Sequence, residues 1–143
     1  MPFPRPEPGL VICYSYLWRH EHESSKGEGH KARPCVVILA VEKQGKDTVV
    51  TVAPMTHRSP EDTVSAIEIP DKVKQSLGLD DKPSWVILSE VNQFAWPGYD
   101  LQPVPGNKRR YDYGFLPPRL FEKIKTRILD LIVKRRTRIT SRD

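Results

Sequence analysis

Short apolar runs rich in β-branched residues recur along this chain, each bounded by polar, glycine- or proline-marked connectors. That rhythm predicts a β-rich domain. Leu10–Trp18, following Pro8-Gly9, predicts a first strand. Within Lys31–Ala40 the stretch from Cys35 to Ala40 is continuously apolar and too short for a typical helix, so it reads as a strand buried on both faces. Thr48–Thr56 predicts a third strand, and the polar Glu42–Asp47 with Gly45 between them predicts a hairpin loop. Ser65–Ile69 and Tyr111–Phe115 predict short strands. Ser84–Asn92 predicts a longer one with a polar end at Ser89, Glu90 and Asn92.

Two segments carry helical periodicity. Asp71–Leu77 predicts one or two turns, stopped by Gly78. Pro117–Arg136 predicts one long helix, with Leu120, Ile124, Ile128 and Leu131 on an apolar face and a basic remainder. Several short strands followed by one amphipathic helix predict a mainly β (α+β) small barrel with the helix packed on it. Arg19–His30 is a polar loop of the length that often serves as a lid, and Phe94–Arg110 is irregular and rich in Pro and Gly.

The strand order has a consequence for two residues. Pro34 fixes its own φ and disfavours helix at Arg33, which puts a cation on extended backbone at the mouth of a rigid strand. Antiparallel pairing across Glu42–Asp47 sets the start of one strand beside the end of the other. Arg33 and Thr56 then become neighbours, although far apart in sequence.

A chain of 143 residues predicts a single domain over 1–143, with a Pro-rich lead-in at 1–8 and a flexible basic tail at 134–143. No apolar run approaches the ~20 residues of a membrane helix, and the first residues have no signal-peptide core. The expectation is a cytoplasmic protein with no membrane partner. Cys13 and Cys35 each lie in an apolar run and read as buried free thiols. The net charge of +5 is unevenly spread: residues 1–107 carry 11 Lys/Arg against 14 Asp/Glu, whereas residues 108–143 carry 12 against 4. Such a basic end fits a nucleic-acid partner or a solvated helix face with a basic tail, and charge alone leaves both open.

His20-Glu21-His22-Glu23 and His30 lack a familiar zinc spacing and read as solvated loop residues, so neither a metal nor a cofactor is expected. Trp85, inside an apolar strand, reads as core, while Trp96 and Tyr99 flank Pro97-Gly98 as candidate base stackers. Glu90 and Asn92 at a strand end read either as ligand contacts or as a solvent face.

The pattern Pro-Gly-Leu-Val (8–11), Gly-Glu-Gly-His-Lys-Ala-Arg-Pro-Cys-Val-Val (27–37), Val-Ala-Pro-Met-Thr-His (52–57), Glu-Ile-Pro (68–70) and Ser-Trp-Val-Ile-Leu (84–88) resembles the PemK/MazF-like toxins of toxin–antitoxin pairs. The resemblance implies an SH3-like barrel with a short internal helix and a C-terminal helix, usually a homodimer. It implies metal-independent cleavage of single-stranded RNA and inhibition by a cognate antitoxin occupying the RNA groove. Arg33 and Thr56 match the family's usual catalytic pair, and Arg19–His30 matches the loop over its groove. The chain departs from the family at Leu17-Trp18-Arg19-His20 and at Ser89-Glu90, and its 94–115 segment is longer.

The chemistry suits these residues in its own right. Arg offers a planar, permanently charged fork for phosphate, and Thr a single hydrogen bond. His57, beside Thr56, and His20 and His22 in the loop are candidate acid–base groups. Lys31 and Arg58 flank the pair as further substrate contacts, with Glu90 and Asn92. The rival readings are a non-catalytic nucleic-acid-binding module and a peptide-binding domain on the same barrel.

Overall fold

The computed structural model describes residues 3–19, 32–45 and 47–142. The expected hairpin forms its centre. β2 (Ala32–Glu42) and β3 (Thr48–Thr56) pair antiparallel with Cys35 opposite Pro54 and Val36 opposite Ala53. Gly45 turns the connection at φ 69, a conformation open to glycine without strain. β1 (Leu10–Ser15) lies along the other edge of β2, with Tyr14 opposite Arg33, and β7 (Asp112–Phe115) pairs with β1.

The run expected as one strand over Ser84–Asn92 is two. β5 (Trp85–Ile87) pairs with the end of β3, and β6 (Glu90–Ala95) pairs with its beginning. The reason lies between them: the Leu88 amide donates to the Ser65 carbonyl at 2.7 Å, and the Leu88 carbonyl accepts the Thr137 hydroxyl at 2.8 Å. Leu88 therefore does not extend either ladder, and the sheet curls at that point. β4 (Ala66–Glu68) adds outside β5. Among the described residues this makes an eight-stranded, mainly antiparallel curled sheet, the small barrel the periodicity predicts.

Burial follows the pleat. Val36 and Ile38 face one core with Val11, Ala53, Met55, Val86 and Val91. Cys35 and Val37 face a second core with Ile12, Tyr14, Val52, Phe94 and Leu101. The two-sided burial read from the apolar run is thus observed from Cys35 to Ile38, but a register shift between Val37 and Leu39 turns Leu39 outward, where it is 50% exposed. Both thiols are buried and free. Burial pushes Cys35 up, and it pushes Cys13 up against a hydrogen bond from Tyr113.

α1 (Asp71–Ser76) is the short helix expected, and Gly78 follows it at φ 70. α2 (Pro118–Val133) seals the first core with Ile124, Ile128 and Leu131. It stops short of Arg136 because Arg135 turns to φ 57, with its amide and that of Arg136 closing onto the Ile132 and Leu131 carbonyls. No helix among the described residues is long and apolar enough to cross a membrane.

The tail departs most from expectation. Arg138–Ser141 forms β8, parallel to β6, with Thr140 buried. Arg142, its side chain 5% exposed, donates to the Ser15 carbonyl at 2.9 Å and pairs with Asp100 at 2.8 Å. The longer 94–115 segment supplies that carboxylate. It also runs along β1, where the Ser15 amide donates to the Asp100 carbonyl and the Gln102 amide to the Cys13 carbonyl.

Candidate functional site

Register brings the key residues together. Continuing the β2–β3 ladder two residues past Cys35 and Pro54 sets Arg33 opposite Thr56. Tyr14 lies opposite Arg33 on one side, and Trp85 opposite Thr56 on the other. Directly opposed residues share a face of the sheet. Tyr14, Arg33, Thr56 and Trp85 therefore form one row at the end of the barrel.

Arg33 is half-buried. Its Nη1 donates to the Met55 carbonyl at 3.4 Å, its guanidinium lies 5.0 Å over the Trp18 ring, and its Nε has no partner among the described residues. Trp18 packs edge-on against Tyr16, whose hydroxyl donates to Glu90 Oε1 at 3.1 Å. The same oxygen accepts the Arg19 amide at 3.0 Å. Asn92, fully buried, clamps the backbone of Leu17: its Oδ1 accepts the Leu17 amide and its Nδ2 donates to the Leu17 carbonyl, both at 2.9 Å. Residues 16–19 are thus pinned from β6, which fixes Trp18 against the arginine.

Thr56 Oγ1 accepts the Arg58 amide at 3.1 Å, which leaves the hydroxyl proton able to donate elsewhere. His57 is half exposed, with Nε2 2.8 Å from Asp80 Oδ2. Asp80 also accepts Lys74 Nζ at 3.0 Å and the Lys82 amide at 3.1 Å. Partial desolvation pushes the Asp80 carboxyl up, but the donors from Lys74, Lys82 and His57 together outweigh it and hold it below the usual range.

Arg33, Thr56, His57, Asp80 and Tyr113 line one cavity of about 390 Å³, with Met55 and Leu79 as apolar wall. A cation, a hydroxyl and an imidazole–carboxylate pair lining one open space can hold an anionic group and move a proton beside it. Burial raises the Tyr113 phenol, so it enters the cavity neutral.

The sequence expectations divide. Arg33, Thr56 and His57 meet as the hairpin argument requires. Arg58 is exposed next to them and contributes its amide. Glu90 does not line the cavity; it braces Tyr16 and Arg19. Asn92 is not a surface group at all, because both of its polar ends are used on Leu17, so a ligand-contact role is corrected to a structural one. Trp85 belongs to neither core cluster and is half-buried in the row beside Thr56, which corrects its reading as core. His20, His22, His30 and Lys31 lie outside the described residues. Asp80, Lys74, Tyr113 and Trp18 were not singled out by the sequence. An Asp after Gly78-Leu79 and a Lys inside an amphipathic turn look like solvated charges, and only the tertiary pairing marks them.

A family model described as PemK-like, MazF-like toxin of type II toxin-antitoxin system matches residues 17–132. The match contains every residue that lines the cavity. No curated protein matches the chain.

Proposed function

From a chain that belongs to the PemK-like, MazF-like family of type II toxins, we propose an endoribonuclease that cuts single-stranded RNA without a metal ion and is inhibited by a cognate antitoxin. The observation that carries this reading is the convergence of Arg33 and Thr56 at one open cavity. In the reaction the RNA 2′-oxygen forms a bond to the adjacent phosphorus while the bond from phosphorus to the 5′-oxygen breaks. The products are a 2′,3′-cyclic phosphate and a 5′-hydroxyl. Arg33 stabilises charge on the non-bridging oxygens with its guanidinium, which lines the cavity. Trp18 holds the guanidinium plane, and Thr56 donates its hydroxyl proton to a phosphate oxygen or orients the 2′-hydroxyl. Trp85, next in the row, offers a face for a neighbouring base.

The antitoxin presents a carboxylate to Arg33 in the same cavity and so competes with RNA for it. The protein works as a homodimer in the cytoplasm. Support for the dimer comes from apolar side chains left in water, namely Leu39 and Val41 on β2 and Leu129 and Val133 on α2. The test is incubation of antitoxin-free protein with a long unstructured RNA in EDTA, with analysis of the ends. Cyclic-phosphate and 5′-hydroxyl ends are expected. RNA that stays intact yet binds with a steep salt dependence would instead establish a non-catalytic binding module.

A further inference from the structure

His57 stands at the exposed end of β3, where core packing does not hold it, yet its ring is fixed. Among the described residues Asp80 is its one hydrogen-bond partner, at 2.8 Å from Oδ2 and 3.1 Å from Oδ1. Asp80 is fixed in turn by Lys74 Nζ and the Lys82 amide. Lys74 is the anomaly. Its side chain is 2% exposed on the short helix α1, while the carboxylate it serves is 48% exposed. A buried ammonium is expensive to desolvate, and an apolar side chain would fill that position without the penalty. Packing gives no reason for a lysine there, whereas a need to lock Asp80 does.

We propose that Asp80, locked by Lys74, is a positioning residue that orients His57 as the general base of the cleavage reaction. The inference rests on the endoribonuclease reading of the same cavity. The carboxylate accepts the Nε2 hydrogen, so Nδ1 of the neutral ring keeps its lone pair. The donors that hold Asp80 in its ionised form support this arrangement. The 2′-hydroxyl proton passes to Nδ1 as the 2′-oxygen bonds to phosphorus. The 5′-oxygen leaves with the electron pair of its broken bond and takes a proton from water. Among the described residues, the other charged or titratable groups lining the same cavity are Arg33 from β2 and Tyr113 from β7.

The experiment uses the full chain, freed of antitoxin, on a mapped RNA in EDTA. It measures kcat and KM, together with Kd for the same RNA carrying a 2′-deoxy sugar at the cut site. His57→Ala should lower kcat by about 10²–10⁴-fold, the usual worth of a positioned base, with Kd unchanged. Added imidazole should restore part of the loss. Asp80→Asn should lower kcat by at least about 10-fold and up to about 10⁴-fold, the upper figure being the loss when an Asp-to-Asn change leaves a catalytic histidine in the wrong tautomer. Imidazole should not help that variant, whose cavity still holds its own ring. Lys74→Met should resemble Asp80→Asn, and if it fails to fold the Asp80 variant carries the test. Wild-type kcat in folded Asp80→Asn, or a Kd that weakens as much as kcat falls, overturns the inference. An active wild type abolished by Arg33→Ala but indifferent to His57→Ala defeats this inference alone, whereas an inactive wild type defeats the endoribonuclease reading beneath it.

Discussion

Replacing Asn92 by Ala should destabilise the fold severely, because the loss is concentrated on two buried backbone groups. Asn92 is 0% exposed and holds both the amide and the carbonyl of Leu17, itself 1% exposed, at 2.9 Å. Alanine leaves both without a partner where water does not reach. An orphaned buried group costs about 1–3 kcal/mol, so the pair amounts to roughly 2–6 kcal/mol. At this chain length each kcal/mol lowers Tm by roughly 3 °C, giving a drop of about 6–18 °C. Urea unfolding followed by fluorescence, with m unchanged, measures the loss directly. Asn92→Asp keeps the acceptor for the amide but turns a second oxygen toward the Leu17 carbonyl, so it should also destabilise. Because Leu17 adjoins Trp18, which lies against Arg33, Asn92→Ala should weaken cleavage at temperatures where the protein still folds. A loss below about 1 kcal/mol, the worth of a single ordinary hydrogen bond, together with weakened RNA binding would refute the structural assignment and return Asn92 to a ligand-contact role.

Arg142→Met should cost about 2–4 kcal/mol in urea unfolding, since it strips the partner from the largely buried Asp100 carboxylate; a loss under about 0.5 kcal/mol would mean the pair behaves as a surface bridge. Changing the exposed Lys134, Arg136 and Arg138 together to Gln should reduce the slope of log Kd against log salt for RNA by up to about 2 and leave the cleavage motif unchanged, whereas an unaltered slope would show a solvated face. Deleting the tail cannot ask that question, because it removes β8. The Asp62 carboxyl is held below its usual range chiefly by the Ser65 amide and hydroxyl, with help from the Val64 amide, so its contribution is present above the unfolded-state pKa and is lost as pH falls below about 4; Asp62→Asn should flatten the acid side of the stability profile, and an unchanged profile would contradict this.

What the sequence revealed was what short-range geometry controls. The meeting of Arg33 and Thr56 follows from a six-residue loop and an antiparallel ladder, and both can be counted along the chain. The face of α2 that seals the core follows from the spacing of Ile124, Ile128 and Leu131. What stayed hidden depends on partners far away. Asn92 looks like a polar strand end until Leu17, 75 positions back, takes both its hydrogen-bonding groups. Arg142 reads as one more charge in a basic tail until Asp100 and Ser15 close on it. The break between β5 and β6, at Leu88-Ser89, is set by Ser65 and Thr137 reaching Leu88 from distant parts of the chain, which no local pattern shows.

The central claim is that Arg33 and Thr56 act together on the scissile phosphate. The measurement that tests it most directly is the rate of RNA cleavage in EDTA by wild type, Arg33→Ala, Arg33→Lys, Thr56→Val and the Arg33→Ala/Thr56→Val double variant, each shown to fold by its melting curve. Loss of the Arg33 fork should slow cleavage by about 10²–10³-fold, as for other preorganised donors to developing charge. Lysine should restore little, since an ammonium cannot present two parallel donors. Thr56→Val should be slowed as well, and the double variant should be little worse than the slower single one, because groups acting as one unit lose activity non-additively. Cleavage at the wild-type rate by a folded Arg33→Ala protein would contradict the account.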